Sequence, residues 1–340
     1  MSKYDERRMT SASRPRVFIS RIIPDNGLQP ILAQTDADVW QDELPPPRDE
    51  LLRRVAGVDG VLSMSTDPID EQLLERAGPQ LRVVSTFAVG FDNIDVAACT
   101  RRGIAVGNTA GVLTETTADA AFALLMAIAR RLPEGYDYVR QGNWRTWMPT
   151  LLLGQDVHRA TLGILGFGRI GREMAKRGRG FDMQMLYYNT HPASAEEEAH
   201  LGVRRASLDE VLAQSDFITL HVNLTPETHH LMNRTTFAKM KSSAMLVNAS
   251  RGSVVDSDDL YDALKGGAIA AAGLDVTEPE PLPADHKLLT LPNCLVVPHI
   301  ASGSVATRGK MASVAAQNLL AGLEHEPLTS WVNPDVWQTR

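Results

Sequence analysis

The sequence has very little cysteine and no long apolar run, and each shortage excludes a class of protein. Its two cysteines, Cys99 and Cys294, lie in apolar surroundings, which favours buried free thiols over a disulfide or a redox pair. The longest apolar run, residues 120–129, has ten residues, about half the length of a membrane span. We therefore predict neither a disulfide-stabilised fold nor a transmembrane segment.

Positive charge is also scarce. Lys and Arg together number 34 against 41 for Asp and Glu, which gives a net charge of −7. Nucleic acid and anionic membrane surfaces are therefore not expected partners, because both repel a negatively charged protein. Residues 1–16 are polar, of mixed charge and without the apolar core of a signal peptide. We expect them to form a frayed tail on a cytoplasmic protein.

From residue 16 onward, short apolar runs alternate with amphipathic helical patterns in two series. The first series contains candidate strands at 17–20, 60–64 and 81–86 and candidate helices at 48–57 and 70–78. The second series starts near residue 160, and its candidate strands are TLGILGF, MQMLYY, DFITLHV, AMLVNAS, AAGLDV and CLVVPHI. Apolar strands that alternate with helices predict parallel sheets covered by helices on both faces.

Two long helices are predicted outside these strands. Residues 114–131 have a wide apolar stripe, which predicts burial between domains or subunits, and residues 304–323 return the chain towards the first series. At 340 residues the chain is long enough for two domains. We therefore predict an α/β fold of two doubly wound parallel-sheet domains, in which residues 108–302 are inserted between residues 1–107 and 303–340.

A glycine-rich turn lies at the start of the second series. In GILGFGRIG, Gly166, Gly168 and Gly171 have the G-x-G-x-x-G spacing, with a strand before the turn and a helix after it. The first glycine permits the tight turn, the second lets the backbone approach a pyrophosphate, and the third lets the helix pack on the strand. The helix N-terminus adds N–H groups with partial positive charge. This context favours a dinucleotide site in a Rossmann-like domain over a glycine turn without a ligand.

Three ionisable residues follow candidate strands of the second series. Arg251, Glu280 and His299 come after AMLVNAS, AAGLDV and CLVV. In doubly wound sheets, ligands bind beyond the carboxyl ends of the strands. Each residue alone would more often be structural, but together, beside a dinucleotide site, they indicate a catalytic site. His221 ends the strand DFITLH, a position from which it can line the nucleotide crevice.

The remaining histidines give weaker signals. His229 and His230 follow LTPET in what is predicted to be a solvated turn. The sequence has neither an H-x-x-x-H pair nor paired cysteines, so we expect no metal site.

Long motifs across the chain resemble the D-isomer-specific 2-hydroxyacid dehydrogenase family. They are GFGRIG, HVNLTPETHHLMN, NASRGSVVDSDDLYDAL, AAGLDVTEPEPLP and PHIASGSVATRGKM. Within the family, VSTFAVGFDNID, VLTETTADAAFALLMAIARRLPE and GNWRTWMP look most like the glyoxylate/hydroxypyruvate reductases. The resemblance implies reduction of glyoxylate and hydroxypyruvate to glycolate and D-glycerate with NADH or NADPH. It also implies that residues 108–302 bind NAD(P) and that the other domain binds the substrate.

The resemblance also implies roles for individual residues. Arg251, Glu280 and His299 correspond to a catalytic trio. The backbone N–H groups of Val89 and Gly90 correspond to those that hold the substrate carboxylate. The implied cofactor contacts are Gly168, Arg169, Ile170, Asn223, Ala249, Asp275 and Ser302.

A segment near 135–156 has little periodicity in its second half, where it contains two of the five tryptophans. Ordinary loop packing and a subunit-contacting arm are both open from the residues alone. The resemblance implies that it is a dimerisation arm and that Trp147 reaches the substrate pocket of the neighbouring subunit in a homodimer.

The chemistry of the trio agrees with these roles. Reduction of an α-keto acid needs a hydride at the carbonyl carbon and a proton at its oxygen. His299 is a suitable acid near neutral pH, and a Glu280 carboxylate beside it favours the imidazolium form. Arg251 can grip carboxylate and carbonyl oxygens together with its planar fork. The nicotinamide supplies the hydride.

The choice of cofactor depends on the residues after the strand MQMLYY. An acid is expected at position 189 in an NAD site, but Asn189 stands there and is followed by Thr190 and His191. Asn189 removes the repulsion of a 2′-phosphate, and His191 adds a titratable cation. No Arg or Lys occurs between Asn189 and Glu196. We expect both NADPH and NADH to be used, with a modest preference for NADPH.

Three other activities remain open. The chain could be another member of the family, acting on phosphoglycerate, D-lactate or formate, although it ends at residue 340 without an appended regulatory domain. It could be a nucleotide-sensing binding protein like the corepressors that use this fold. A transferase or hydrolase with the same nucleotide fold is the third alternative.

Overall fold

Residues 14–337 are described by a computed structural model, in which they form two compact units. The predicted N-terminal tail lies outside the described residues except for its last three positions. The first unit runs up to Val112 and resumes at Val305, and the second is Leu113–Ser304. The boundaries expected from the sequence, after residue 107 and before residue 303, lie a few residues from these positions.

The first unit contains a five-stranded parallel sheet. Its strands are β1 (Arg16–Ile19), β2 (Asp36–Val39), β3 (Gly60–Ser63), β4 (Val83–Thr86) and β5 (Ala105–Gly107), in the order β2-β1-β3-β4-β5. Its first helices are α1 (Asp25–Gln34), α2 (Arg48–Arg54), α3 (Glu71–Ala77) and α4 (Val96–Arg101). Strands β3 and β4 are buried at every position, as expected for strands covered on both faces.

The second unit contains a seven-stranded parallel sheet and begins with two helices. The helices are α5 (Thr114–Ala129), α6 (Leu132–Arg140), α7 (Arg169–Arg179), α8 (Ala195–Leu201), α9 (Leu208–Gln214), α10 (Arg234–Phe237) and α11 (Ser257–Lys265). The strands are β6 (Thr161–Leu165), β7 (Gln184–Tyr188), β8 (Val203–Arg205), β9 (Phe217–Leu220), β10 (Met245–Asn248), β11 (Ala271–Leu274) and β12 (Cys294–Val296). Their order is β12-β11-β10-β9-β6-β7-β8. A short 3₁₀ turn, Gly252–Val254, follows β10.

The order of the second sheet reverses around β6. This strand pairs with β7 on one side and with β9 on the other. The glycine-rich turn that follows β6 therefore lies at the topological switch point, where doubly wound sheets bind nucleotides. Strands β10, β11 and β12 are neighbours, so the segments that follow them leave the same edge of the sheet side by side.

The two long predicted helices are confirmed, and each covers a sheet. Helix α5 is buried along much of its length and packs on α7 and on strands β10 and β11 of its own unit. The second long helix, α12 (Val305–Leu323), packs on α1 and on strands β3 and β4. The contact with α1 is close, since a Cβ at Gly27 would lie 2.2 Å from the carbonyl oxygen of Ala312.

The predicted α/β fold with two parallel, helix-covered sheets is confirmed. Both cysteines are free thiols, Cys99 buried and Cys294 half-buried, and burial raises the pKa of each to about 12. Within residues 14–337, no helix is both long and apolar enough to cross a membrane.

Candidate active site

The glycine-rich turn has the geometry of a phosphate cradle. Gly166 has a φ of 92°, in the left-handed region, and a Cβ there would lie 2.5 Å from the carbonyl of His221. A Cβ at Gly171 would lie 2.2 Å from the carbonyl oxygen of Gly166. Around Gly168, by contrast, a Cβ would meet nothing within 4 Å. Backbone packing thus requires the outer two glycines, and the middle one leaves open space for a ligand.

The N-terminus of α7 opens onto this space. Gly168 is its N-cap residue, and no side chain among residues 14–337 caps the helix. Uncapped N–H groups and the helix dipole favour an anion at this point. Arg169 is exposed and Ile170 half-buried in the first turn. The residues present therefore fit the pyrophosphate of a dinucleotide.

His221 lies beside the cradle, at the end of β9. Its Nε2 is 2.8 Å from Thr219 Oγ1, and burial lowers the pKa of the imidazole to about 3, so the ring is neutral. Its Nδ1 is buried and has no hydrogen-bond partner among the described residues. A buried polar atom without a partner is costly, so this nitrogen is suited to a ligand in the crevice.

Asn189 braces the glycine turn from the end of β7. Its Oδ1 accepts a hydrogen bond of 3.1 Å from the backbone N–H of Phe167, and its Nδ2 donates to the carbonyl of His191 at 2.8 Å. Thr190 and His191 are exposed next to it. The side-chain amide of Asn189 thus contacts both the glycine turn and residues 189–191, which we call the corner. The second N–H of its Nδ2 is available to a ligand.

Arg205 is a cation at this corner that the sequence analysis missed. It ends the short edge strand β8, and its Nη2 donates to the carbonyls of Asn189 and Thr190 at 3.1 and 3.3 Å. No Arg or Lys occurs between Asn189 and Glu196 in the sequence, but pairing of β8 with β7 brings Arg205 to this corner from further along the chain.

His299 and Glu280 form a close pair at the edge beyond β11 and β12. His299 Nδ1 lies 2.6 Å from Glu280 Oε1, and both side chains are partly exposed. Burial raises the pKa of Glu280, but the hydrogen bond and charge of His299 outweigh it, with smaller contributions from Thr277 N–H and Arg251. The net pKa of Glu280 is lowered, so it is a carboxylate at neutral pH.

Arg251 lies close enough to Glu280 for its charge to contribute to the lowered pKa of that carboxyl. It follows β10 in extended conformation, and its Nη1 donates to the carbonyl of Ser250 at 2.8 Å. The following residue, Gly252, packs tightly on the segment that carries Glu280, since a Cβ there would lie 1.9 Å from the carbonyl oxygen of Thr277. The structure therefore brings together the three ionisable residues singled out from the sequence.

Asp275 holds the segment that carries His299. Its buried carboxylate accepts backbone hydrogen bonds from Ile300 at 2.7 Å and Ala301 at 3.0 Å, and burial raises its pKa. Its carbonyl accepts the N–H of His299 at 2.9 Å. Both carboxylate oxygens are thus already engaged within the protein.

The other expected site residues lie in both units. In the second unit, Ala249 is buried next to β10, Ser302 is buried in the turn after His299, and Asn223 is exposed after β9. Val89 and Gly90 belong to the first unit, in the loop after β4. Among residues 14–337, neither of their N–H groups donates a hydrogen bond within the protein, so both are available to an anion.

Trp147 lies in an irregular, exposed segment. Residues 141–156 contain no helix or strand, so only the first part of the predicted arm, up to Arg140, is helical. The indole of Trp147 is 79% exposed. Large exposed apolar side chains accompany it on α6 and in this segment: Leu132, Tyr136, Val139, Trp144, Met148 and Leu153.

Comparison with known proteins agrees with this geometry. Residues 122–301 match the family model for the NAD-binding domain of D-isomer specific 2-hydroxyacid dehydrogenases. A glyoxylate reductase of Korarchaeum cryptofilum is 50% identical over 328 residues, 96% of this chain and 98% of that one. The human glyoxylate reductase/hydroxypyruvate reductase is 46% identical over 93% of this chain and 97% of its own.

Solved structures give the same result. The TT0316 protein of Thermus thermophilus superposes with a TM-score of 0.88 at 43% identity, covering 93% of this chain and 99% of that one. An NADPH-dependent glyoxylate/hydroxypyruvate reductase of Sinorhizobium meliloti, solved with NADP and malonate, gives 0.82 at 32% identity, with 94% and 97% covered. This chain therefore belongs to the D-isomer-specific 2-hydroxyacid dehydrogenase family.

Proposed function

We propose that this protein reduces glyoxylate and hydroxypyruvate to glycolate and D-glycerate with a nicotinamide cofactor. The observation that carries the proposal is the 2.6 Å pair of His299 and Glu280 beside Arg251, at the edge of the sheet that also bears the glycine cradle. Relatives that bear these activities in their names, at 42–50% identity, support this choice of substrate.

The proposed role of His299 is that of the general acid. Its Nδ1 is engaged by Glu280, which leaves Nε2 to deliver a proton to the substrate's carbonyl oxygen. The negative Glu280 carboxylate also fixes the orientation of the ring through this contact. The cofactor, when bound, supplies the hydride.

Arg251 and the loop after β4 are proposed to orient the substrate. A guanidinium can bind a carboxylate and the adjacent carbonyl oxygen with parallel N–H groups, which fixes the face of the carbonyl. From the resemblance, the N–H groups of Val89 and Gly90 in the first unit are proposed to bind the carboxylate of the substrate.

The proposed cofactor contacts divide into three groups. Gly166, Gly168, Arg169, Ile170 and Gly171 would hold the pyrophosphate. Asn189, Thr190 and His191 would meet the adenosine ribose. His221, Asn223, Ala249, Asp275 and Ser302 would line the remainder of the crevice. Both carboxylate oxygens of Asp275 accept backbone hydrogen bonds from the segment after His299. We therefore propose that Asp275 also positions this segment.

We propose that both cofactors are used, with a preference for NADPH. Arg205 strengthens this preference, because its guanidinium lies against the carbonyls of the 189–190 corner and adds a permanent cation to the titratable His191.

The ratio of kcat/KM for NADPH and NADH, measured at low and high pH, tests this preference. Asn189→Asp should turn the ratio towards NADH, because the new carboxylate repels a 2′-phosphate. Arg205→Ala should lower kcat/KM for NADPH about two- to fivefold and leave NADH nearly unchanged, as suits an exposed charge. A wild-type enzyme strongly selective for NADH would contradict the proposal.

A homodimer and a cytoplasmic location complete the proposal. The exposed apolar side chains of α6 and residues 141–156 form a surface that a second copy of the chain could cover. Two free thiols suit a reducing compartment. The mass in solution, measured by light scattering, would test the dimer.

The reaction itself is tested by steady-state kinetics with glyoxylate, hydroxypyruvate, pyruvate and phosphohydroxypyruvate, each with both reduced cofactors. Highest kcat/KM on the first two is the expected result. Cofactor binding without turnover on any keto acid would instead favour a nucleotide-sensing protein and overturn the proposed function.

A further inference from the structure

A cluster of metal-binding side chains lies in the second unit, outside the trio. His229 and His230 follow β9, and Glu278 precedes Glu280 in the loop after β11. His229, His230 and Glu278 each offer one potential ligand atom, and these three atoms all lie within 4.8 Å of one another. The two imidazole rings are stacked, with centroids 3.9 Å apart.

The cluster is reachable from solvent. His229 is exposed, and the side chains of His230 and Glu278 are 35% and 39% exposed. An ion could therefore bind without unfolding of the unit. The sequence spacing gave no sign of the cluster, because neighbouring histidines and a glutamate 48 positions later match no zinc spacing.

Supporting contacts orient two of the three side chains. His230 Nδ1 lies 3.4 Å from Asp256 Oδ2, while its Nε2 lies 2.9 Å from Glu278 Oε2. Asp256 is itself fixed, since its Oδ1 caps α11 through the N–H groups of Asp258 and Asp259. A histidine that binds a metal almost always gives its second ring nitrogen to such a carboxylate.

Glu278 is held in the same way. Its Oε1 accepts a 2.6 Å hydrogen bond from Ser253 Oγ, and its backbone carbonyl accepts one from Ser257 Oγ at 2.8 Å. The other carboxylate oxygen, Oε2, is the one that faces His230. A second shell of hydrogen bonds thus exists before any ion binds.

We propose that His229, His230 and Glu278 form a binding site for a divalent transition-metal ion of the zinc class. Two imidazoles and one carboxylate are a donor set that Zn²⁺ accepts, with water in the fourth position. The ion takes the place of the proton shared between His230 Nε2 and Glu278 Oε2, and that proton is released to solvent. Binding joins the segment after β9 to the loop that carries Glu280.

The test is calorimetric titration of the full chain, freed of metal by a chelator, with ZnCl₂. One Zn²⁺ per chain should bind. His229→Ala and His230→Gln should each weaken the affinity at least tenfold, because loss of even a supporting contact typically weakens metal affinity by about 10–100-fold. MgCl₂, whose ion prefers oxygen ligands, should give no saturable binding. Zn²⁺ should also raise the Tm of the wild type and not that of His229→Ala.

The matched control is His200→Ala, which removes another exposed histidine, on α8. It should bind Zn²⁺ like the wild type. Equal loss of affinity in the control and in His229→Ala would show scattered surface binding and overturn the proposal. A wild-type chain that binds less than one Zn²⁺, or binds it without an effect on Tm, would overturn it too.

Discussion

Replacing Glu280 by glutamine removes the negative charge that faces His299 and keeps the size of the side chain. In the wild type, Glu280 Oε1 lies 2.6 Å from His299 Nδ1. Glutamine can still accept a hydrogen bond through its amide oxygen. The variant therefore tests the charge separately from the contact.

The size of the effect follows from the kind of hydrogen bond that is lost. A hydrogen bond to a charged group contributes about 1.5–3 kcal/mol, and a neutral one about 0.5–1.5 kcal/mol. The side chains are 40% and 35% exposed, so solvent screens the pair and the lower part of this range applies. A loss of about 1.4 kcal/mol of transition-state stabilisation lowers the rate by about a factor of ten.

The assay is kcat for keto-acid reduction, measured at saturating keto acid and reduced cofactor. Glu280→Gln gives His299 Nδ1 a neutral partner in place of a charged one, so kcat should fall about tenfold. An unchanged kcat would refute the reasoning, because the carboxylate would then have no influence on the proton transfer.

Glu278→Gln is the matched control for this experiment. It makes the same substitution two positions earlier in the same loop, where the side chain contacts Ser253 and His230 and not His299. Its kcat should match that of the wild type. An equal loss of kcat in both variants would mean that a change in the loop, and not the charge of Glu280, caused the loss.

The remaining predictions concern single side chains of the proposed site. His299→Asn should lower kcat by roughly 10²–10⁴-fold and leave cofactor binding, followed by fluorescence titration, nearly intact; unchanged turnover would remove it from the mechanism. Arg251→Lys should raise KM and lower kcat together, since a point charge cannot reproduce bidentate alignment; wild-type kinetics would show that the substrate is held elsewhere. Trp147→Ala should change selectivity between glyoxylate and hydroxypyruvate. It should leave Tm nearly unchanged, because the indole is 79% exposed; a dimeric variant with unaltered selectivity would mean that Trp147 contributes only to packing.

The sequence predicts the site best where the geometry is local. The glycine spacing is itself a description of one turn, and the structure shows the two close backbone approaches that it implies, at Gly166 and Gly171. The convergence of Arg251, Glu280 and His299 was also predictable. They follow three strands that are consecutive in the chain and adjacent in the sheet, so their side chains emerge along one edge.

The sequence predicts poorly what depends on short edge strands. β8 has only three residues, two of them exposed, so it has no apolar run to identify it. β2, with the sequence DADV, is likewise an edge strand without a buried position. Arg205 was missed for this reason, because only the pairing of β8 with β7 places it against Asn189.

Contacts between distant side chains are the second gap. The hydrogen bond of Asn189 to Phe167 N–H depends on the register of β6 with β7, which pairs Leu165 with Tyr188. No local pattern encodes that register in strands whose inner positions are all buried. The sequence therefore identified Asn189 by the absence of an acid and could not show that its amide braces the glycine turn.

The return of α12 to the first unit has a consequence for the order in which the protein is made. Strands β3 and β4 are covered by this helix, and Ser85 Oγ donates to the carbonyl of Ala315 at 2.8 Å. On the ribosome the first strands emerge well before α12, and the whole of residues 113–304 is made in between. At about 5–20 residues per second, that interval lasts roughly ten to forty seconds. The nascent first unit carries an uncovered apolar sheet face for that time, and every element of the second unit is made before the helix that covers this face.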